Sequence, residues 1–361
     1  PSSSSSTTTT TTSLPLGVQL VGPRFDDVRL LHVAETVFRL LRLPCPLPAA
    51  LQCDASLSGA VFSDLTFTRR PSEDAGPAGR VVAAELGAKL RAPGGSATLW
   101  PANLPPPVDL AETTRVLIRS ARGLTPAPTL ASHGFELRVS DSPLEISGPE
   151  GEAPAHAAEI EALVREATGA RLCKVFNTLR RMSHPVLRTG GAPGEGGSTG
   201  KAAAVTRAHC DYTESSGPAR LHELIEAGLV TAEELNGASR LAIVNAWRPT
   251  TDEVPRTPLA VCDATSADGW FDYGLVHHSD CPCCGDGSRC VWYNFYLPPS
   301  LRQRWYWYPR QRREEVLLFK TYDSAAKEAA RFVAHSAFEV PGTPESAPER
   351  QSIECRVMCV W

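Results

Sequence analysis

The stretch Ala208-His209-Cys210-Asp211-Tyr212-Thr213 carries an imidazole and a carboxylate two positions apart. On a β-strand, the side chains at positions i and i+2 point to the same face of the sheet. His209 and Asp211 would then converge on one point, as two of the three protein ligands in a 2-His-1-carboxylate site for non-haem Fe(II). The spacing also occurs by chance, so a solvated histidine beside a turn aspartate is the alternative interpretation. A metal site requires a second histidine.

The second histidine must come from the other members of a set of nine. His335 closes an apolar stretch, residues 331–335, which we predict to be a strand. A histidine at a strand end can face the interior of a β-sandwich and act as a ligand, although a packed core histidine is the alternative. His222 lies on a predicted helix, where it packs or meets water, and His277 and His278 lie in a polar loop.

The remainder of the chain predicts a mainly β fold with flanking helices, either a sandwich or a jelly roll (double-stranded β-helix). Its 31 prolines and 27 glycines imply many turns between short strands. A helix is expected over residues 157–168, ended by Gly169, and a capping box at Thr231 and Glu234 starts another. The predicted strands are residues 115–119, 135–139, 171–178, 241–245, 258–262, 291–297, 315–320, 331–335 and 352–361.

The composition limits the partners that the protein can have. A net charge of -4 gives no basic surplus for nucleic acid or an anionic membrane. No apolar run approaches the ~20 residues that span a bilayer. Eleven cysteines without a secretory signal suggest free thiols in a reducing compartment, so we expect a cytoplasmic protein. No pattern in the sequence indicates the oligomeric state.

The N-terminal third divides into segments of different character. Residues 1–13 form a Ser/Thr tract that we expect to be disordered. Residues 14–43 resemble the C-terminal tail of amidase-signature hydrolases, but the two serines and the lysine of that family's catalysis have no counterpart here. We therefore predict an appendage rather than an amidase. Residues 44–98 form an extension of uncertain structure, and residues 99–361 form the jelly-roll domain.

Near the C-terminus, Arg350-Gln351-Ser352-Ile353-Glu354-Cys355-Arg356 offers a binding site for a carboxylate. Arg350 and Ser352 share one strand face, where a guanidinium and a hydroxyl can hold a carboxylate together. Arg356 falls on the same face, so the sequence does not separate the two arginines. The alternative interpretation is that Glu354 pairs with one of them across a surface strand.

Seven motifs occur in an order that resembles a known family. They are His209-x-Asp211-Tyr-Thr, Asn245-Ala-Trp247-Arg248-Pro249, Pro258-Leu-Ala-Val-Cys262-Asp263, Trp305-Tyr-Trp-Tyr-Pro309, Glu315-Val-Leu-Leu-Phe-Lys320-Thr-Tyr322, His335-Ser-Ala-Phe338 and the stretch from Arg350 to Arg356. Together they resemble the hydroxylase/desaturase family that includes a gibberellin desaturase and the cephamycin-pathway 7-alpha-hydroxylase component. The resemblance implies a jelly-roll dioxygenase that uses Fe(II), 2-oxoglutarate and O2 to hydroxylate or desaturate a secondary metabolite.

The resemblance also implies roles for individual residues. His209, Asp211 and His335 become the catalytic iron ligands, and Arg350 with Ser352, or else Arg356, becomes the anchor for 2-oxoglutarate. Further pocket residues without a fixed role are Asn245, Trp247, Arg248, Lys320 and Tyr322. The aromatic run at residues 305–308 either walls a substrate cleft or forms a half-buried strand. A non-catalytic jelly-roll binding module with a degenerate metal site is the rival interpretation.

A cysteine-rich segment departs from the family pattern. It contains His277, His278 and four cysteines at positions 281, 283, 284 and 290. Cysteine and histidine can bind Zn²⁺ tetrahedrally, but the spacing differs from that of a zinc ribbon. An exposed, thiol-rich loop is the alternative.

Overall fold

A computed structural model describes residues 59–68, 97–99, 111–140, 154–182, 202–268, 270–277, 290–325 and 330–361. The chain divides into two units, Pro1–Leu47 and Pro48–Trp361, and every described residue belongs to the second. The predictions for residues 1–43, for most of residues 44–98 and for the cysteines at 281, 283 and 284 lie outside the described residues. Within the described part, no helix is long and apolar enough to cross a membrane.

The strands of the described part form two sheets. In spatial order, the first sheet contains β1 (Val61–Thr68), β3 (Ala111–Ser120), β12 (Trp305–Trp307), β9 (Leu259–Cys262), β14 (His335–Ala337), β7 (His209–Cys210), β11 (Cys290–Tyr296), β10 (Phe271–His277) and β2 (Ala97–Leu99). The second contains β4 (Phe135–Val139), β13 (Glu315–Asp323), β8 (Leu241–Pro249), β15 (Gln351–Val360), β5 (Leu172–Met182) and β6 (Ala202–Ala203).

The second sheet is buried on both faces, because a helix covers one face and the first sheet covers the other. On β8, Val244 and Ala246 pack against Ile160 and Val164 of the helix α1 (Pro154–Thr168). Trp247, next along the strand, packs instead with residues of the first sheet. Alternate side chains therefore reach either the helix or the space between the sheets, where a site can form.

The helices follow the capping signals in the sequence. Gly169 has φ 66° and follows α1, as expected for a glycine that ends a helix. The capping box at Thr231 and Glu234 is present at the start of α3 (Ala232–Leu235). Before it, α2 (Ser216–Glu226) buries Leu221 and Leu224, and a 3-10 helix spans Ala264–Ser266.

Two sequence predictions about strands were wrong. The apolar stretch at 331–335 is not a strand, and His335 begins β14 instead of ending a strand. The strand β10 was not predicted, since Asp272 and Gly274 interrupt its apolar pattern. The aromatic strand β12 is fully buried in the core rather than half-buried.

Candidate metal centre and adjoining pocket

Three side chains meet at the centre of the first sheet. His335 lies opposite His209 in the register of β14 and β7, and their ring centroids are 4.4 Å apart. Asp211 follows β7 by one residue, and its Oδ1 lies 3.4 Å from Nε2 of His209 and 3.8 Å from Nε2 of His335. One ligand atom from each residue lies within 4.8 Å of the others. The side chains therefore converge as the spacing predicted, although Asp211 lies just beyond the strand.

Backbone carbonyls orient both imidazoles. Nδ1 of His209 is 2.7 Å from the carbonyl oxygen of Arg207, and Nδ1 of His335 is 3.2 Å from that of Val333. A carbonyl can only accept a hydrogen bond, so each Nδ1 carries a proton and Nε2 is the ring nitrogen that can bind a metal when the ring is neutral. Burial, followed by the nearby His209, lowers the pKa of His335 to about 3. The neutral ring is the form that binds a metal ion.

The two oxygens of Asp211 have different surroundings. While Oδ1 faces the histidines, Oδ2 lies 2.9 Å from Nδ2 of Asn245 and 3.1 Å from Nη2 of Arg356. Burial by itself raises the pKa of the Asp211 carboxyl. Several nearby groups lower it by more, and the positive charge of Arg356 is the largest of these effects. The pKa of the carboxyl is therefore held well below its ordinary value. The site thus presents two imidazoles and one ionised carboxylate, a donor set that fits Fe(II).

Comparison with known proteins identifies the family to which this chain belongs. The family described as "Oxidoreductase/YMDC permease-like domain" matches residues 101–360, so the chain is a member of it. The alpha-ketoglutarate-dependent dioxygenase tstK of Talaromyces stipitatus is 30% identical over 242 residues, which cover 64% of this chain and 80% of that relative. The chain belongs to the Fe(II)/2-oxoglutarate-dependent dioxygenase family.

Other relatives support the same assignment. The Fe(II)/2-oxoglutarate-dependent dioxygenase nvfI of Aspergillus novofumigatus is 30% identical over 201 residues, covering 56% of this chain and 64% of that relative. The hydroxylase/desaturase efuI of Hormonema carpetanum is 28% identical over 264 residues, 69% of this chain and 84% of that relative. The resemblance to hydroxylase/desaturases predicted from the ordered motifs is thus confirmed.

A solved structure confirms the predicted jelly-roll fold. The iron and alpha-ketoglutarate-dependent endoperoxidase NvfI superposes with a TM-score of 0.61 at 22% sequence identity. The match covers 83% of this chain and 98% of that one.

In this member of the dioxygenase family, a pocket adjoins the two histidines. Its polar lining consists of the guanidinium groups of Arg181 and Arg350 and the carboxylate of Glu354, while Trp247 and Leu259 contribute apolar surface. Of these residues, Arg350 and Trp247 had been singled out from the sequence. Glu354 had been considered only as a partner of an arginine, and Arg181 had not been considered at all. Arg181 lies on β5, and the strands that neighbour it in the sheet are not readable from one sequence.

Arg350 is almost fully buried, with 1% of its surface exposed. Its Nη1 donates a 2.9 Å hydrogen bond to the carbonyl of Thr257, and its guanidinium lies 5.6 Å from the centroid of the Trp247 ring. Burial and then the positive charge of Arg181 lower the pKa of Arg350 to about 9. Two cations held against one small pocket favour an anionic ligand there.

Ser352 and Arg356 have separate surroundings. Ser352 lies opposite Arg181 in the register of β15 and β5, and its buried hydroxyl has no hydrogen-bond partner among the residues that the structure describes. Arg356 is not itself a lining residue of the pocket; it contacts Asp211 and also lies 3.6 Å from Glu354, the partner that the sequence suggested, on a buried rather than a surface strand. The structure therefore distinguishes Arg350 at the pocket from Arg356 at the carboxylate, which the sequence did not.

Three of the five additional pocket candidates lie elsewhere. Arg248 donates a 2.9 Å hydrogen bond to Glu159 beneath α1, on the opposite side of the sheet from Trp247. Lys320 pairs with Asp323 at 2.9 Å. Tyr322 packs in the apolar cluster beside α2. The remaining two, Asn245 and Trp247, are at the site.

The other sequence candidates also have defined surroundings. The aromatic strand β12 packs in the two core clusters and does not contribute to the pocket beside the histidines. His222 is 72% exposed and lies 3.3 Å from Glu226 on the same helix. The predicted choice between a zinc site and a thiol-rich loop concerns residues 277–290, of which 278–289 are outside the described ranges. His277 was predicted in a loop, but it ends β10 and pairs with Cys290 of β11.

Proposed function

We propose that this chain is an Fe(II)- and 2-oxoglutarate-dependent oxygenase that hydroxylates or desaturates a small-molecule secondary metabolite. One observation carries the proposal, namely the convergence of Nε2 of His209, Nε2 of His335 and Oδ1 of Asp211. We assign these atoms as the iron ligands. When bound, Fe(II) supplies the activation of O2 that oxidation of an unactivated C–H bond requires.

The protein contributes orientation and charge around that ion. The carbonyls of Arg207 and Val333 fix the tautomer of each histidine, so that the two lone pairs are directed at the metal position. The donors on Oδ2 of Asp211 keep its other oxygen turned towards the histidines.

We assign Arg350 as the anchor for the carboxylate of 2-oxoglutarate distal to the metal. The buried guanidinium lines the same pocket as both histidines, and the hydroxyl of Ser352 lies on the same strand face. Arg181 adds a second positive charge to the lining. Trp247 and Leu259 provide the apolar wall that keeps water from these charged groups.

The proposal extends to partners and location. A net charge of -4 argues against nucleic acid and membrane surfaces as partners. The cysteines in the described part that are recorded as free thiols are all buried, which supports a reducing, cytoplasmic location. They are Cys173, Cys210, Cys262, Cys355 and Cys359.

The decisive test is anaerobic addition of Fe(II) and 2-oxoglutarate to the metal-free protein, followed by exposure to O2. We expect a weak visible charge-transfer band that needs both additions, and then O2 consumption with formation of succinate. A binding module with a degenerate site gives no O2 consumption, and an amidase hydrolyses an aryl amide instead. Absence of both the band and O2 consumption would overturn the proposal.

A further inference from the structure

We propose that Arg356 and Asn245 are positioning residues that hold Asp211 as a ligand through one oxygen only. In this arrangement Oδ1 is offered to the metal, and Oδ2 is kept away from it by two donors. The inference rests on the proposed function, because it concerns an iron ligand of that site. It gives Arg356 a role different from anchoring 2-oxoglutarate.

The sheet places the two donors side by side. Arg356 of β15 pairs directly with Asn245 of β8, so both side chains leave the sheet on the same face. Both reach Oδ2 of Asp211, at 3.1 Å from Nη2 of Arg356 and 2.9 Å from Nδ2 of Asn245. A carboxylate oxygen that accepts two such bonds has its lone pairs occupied, whereas Oδ1 remains directed at the two histidines.

Neighbouring groups fix the direction of each donor. The hydroxyl of Thr321 lies 3.3 Å from Oδ1 of Asn245 as a donor, so the amide nitrogen is the atom turned towards Asp211. On the other side, Nε of Arg356 lies 3.6 Å from Oε1 of Glu354. The guanidinium therefore lies between the carboxylates of Asp211 and Glu354.

Holding the carboxylate in this way has a consequence for the metal. Three protein donors cover one face of an octahedral ion and leave the opposite face for other ligands. A carboxylate that rotates to chelate through both oxygens occupies a further position, which the cosubstrate or O2 needs. Arg356 and Asn245 thus preserve the open face of the site. Partners of this kind alter metal affinity by about 10- to 100-fold when they are removed.

The test uses Co(II) as a spectroscopic probe of the metal site in Arg356→Met and Arg356→Lys, with Arg310→Met as the matched control. Arg310 also pairs with a carboxylate, that of Glu253, but it is 75% exposed and remote from the metal ligands. For Arg356→Met we expect a Co(II) Kd raised about 10-fold or more and a changed Co(II) absorption spectrum. Arg356→Lys should recover part of both, and Arg310→Met should match the wild type.

Different failures have different meanings. If the wild type does not bind Co(II) or Fe(II), the proposed function is wrong. If the wild type binds the metal and folded Arg356→Met has the same Kd and spectrum, the positioning role is wrong. Should Arg356→Met not fold, Asn245→Ala removes the neutral donor and is expected to shift the Kd and spectrum in the same direction. An unchanged Asn245→Ala would then overturn the inference.

Discussion

His335 lies directly opposite His209 across the short strands β14 and β7, with a distance of 4.4 Å between their ring centroids. The two strands are held between β9 and β11 in the middle of the first sheet. The two histidines therefore lie on interior strands of that sheet, which hold their backbone positions before a metal binds. A site built on strands can hold its ligands more accurately than one built on loops.

The first prediction concerns these histidines. His209→Ala and His335→Ala should each abolish the charge-transfer band formed with anaerobic Fe(II) and 2-oxoglutarate, because each removes one of the three metal donors. His222→Ala is the control, since this histidine is exposed on α2. A band of full intensity in His335→Ala would remove His335 from the ligand set.

The second prediction distinguishes Arg350, which precedes β15, from Arg356, which lies within it. Arg350→Ala should raise the Kd for 2-oxoglutarate about 10²-fold or more, since loss of one partner of a buried charge pair costs about 3–5 kcal/mol. Metal affinity should stay near that of the wild type. The measurement is titration of 2-oxoglutarate into the Fe(II)-loaded protein without O2, followed by the charge-transfer band.

Arg356→Ala is the comparison in the same titration. Its effect on metal affinity should exceed its effect on 2-oxoglutarate binding at saturating metal, because Arg356 contacts Asp211 directly and is not itself one of the residues that line the pocket. If Arg356→Ala loses 2-oxoglutarate binding and Arg350→Ala does not, the assignment of the anchor is reversed. If neither variant loses it, the ligand of the pocket is not 2-oxoglutarate.

The sequence could predict the parts of the site that depend on local spacing. His209 and Asp211 are two residues apart, so their convergence follows from strand geometry. The same rule explains why only two of the additional pocket candidates, Asn245 and Trp247, lie at the site. Trp247 and Arg248 are adjacent on β8, so they must point to opposite faces, and the ordered motifs did not indicate which of them faces the pocket.

Other features of the site depend on which strands are neighbours. Arg350 and Arg356 are an even number of residues apart, so their side chains point to the same face of the sheet. They differ in which residues lie opposite them. Asn245 stands beside Arg356, whereas the Trp247 ring lies under Arg350. Arg181 reaches the pocket because β5 pairs with β15. These pairings connect distant parts of the chain, so one sequence does not reveal them.

The third prediction tests the role now given to Arg248. Its guanidinium is 1% exposed and pairs with Glu159 beneath α1. Arg248→Ala should lower the free energy of unfolding by about 1–3 kcal/mol, because it removes the cationic partner of the Glu159 carboxylate, which keeps Ser140 and His156 as neighbours. Urea denaturation measures this loss, while the affinity of the folded fraction for 2-oxoglutarate should not change.

Arg310→Ala supplies the control for that measurement. This exposed arginine also pairs with a glutamate, so its removal should leave the midpoint of urea denaturation close to that of the wild type. An Arg248→Ala protein of normal stability but weakened 2-oxoglutarate binding would return Arg248 to the list of pocket residues.

The last prediction is that residues 1–43 are dispensable for catalysis. They resemble the tail of a different enzyme family, and the triad and the pocket lining lie between Arg181 and Arg356. A variant that begins at Pro44 should keep both the charge-transfer band and the O2 consumption. A deletion of residues 1–68 is the contrasting variant, because it also removes β1, which pairs with β3 over its whole length and buries Leu65 and Phe67. We expect only this longer deletion to lower the midpoint of thermal unfolding. If the shorter variant unfolds as well, residues 14–43 contribute to the core, and the predicted boundary at residue 43 is wrong.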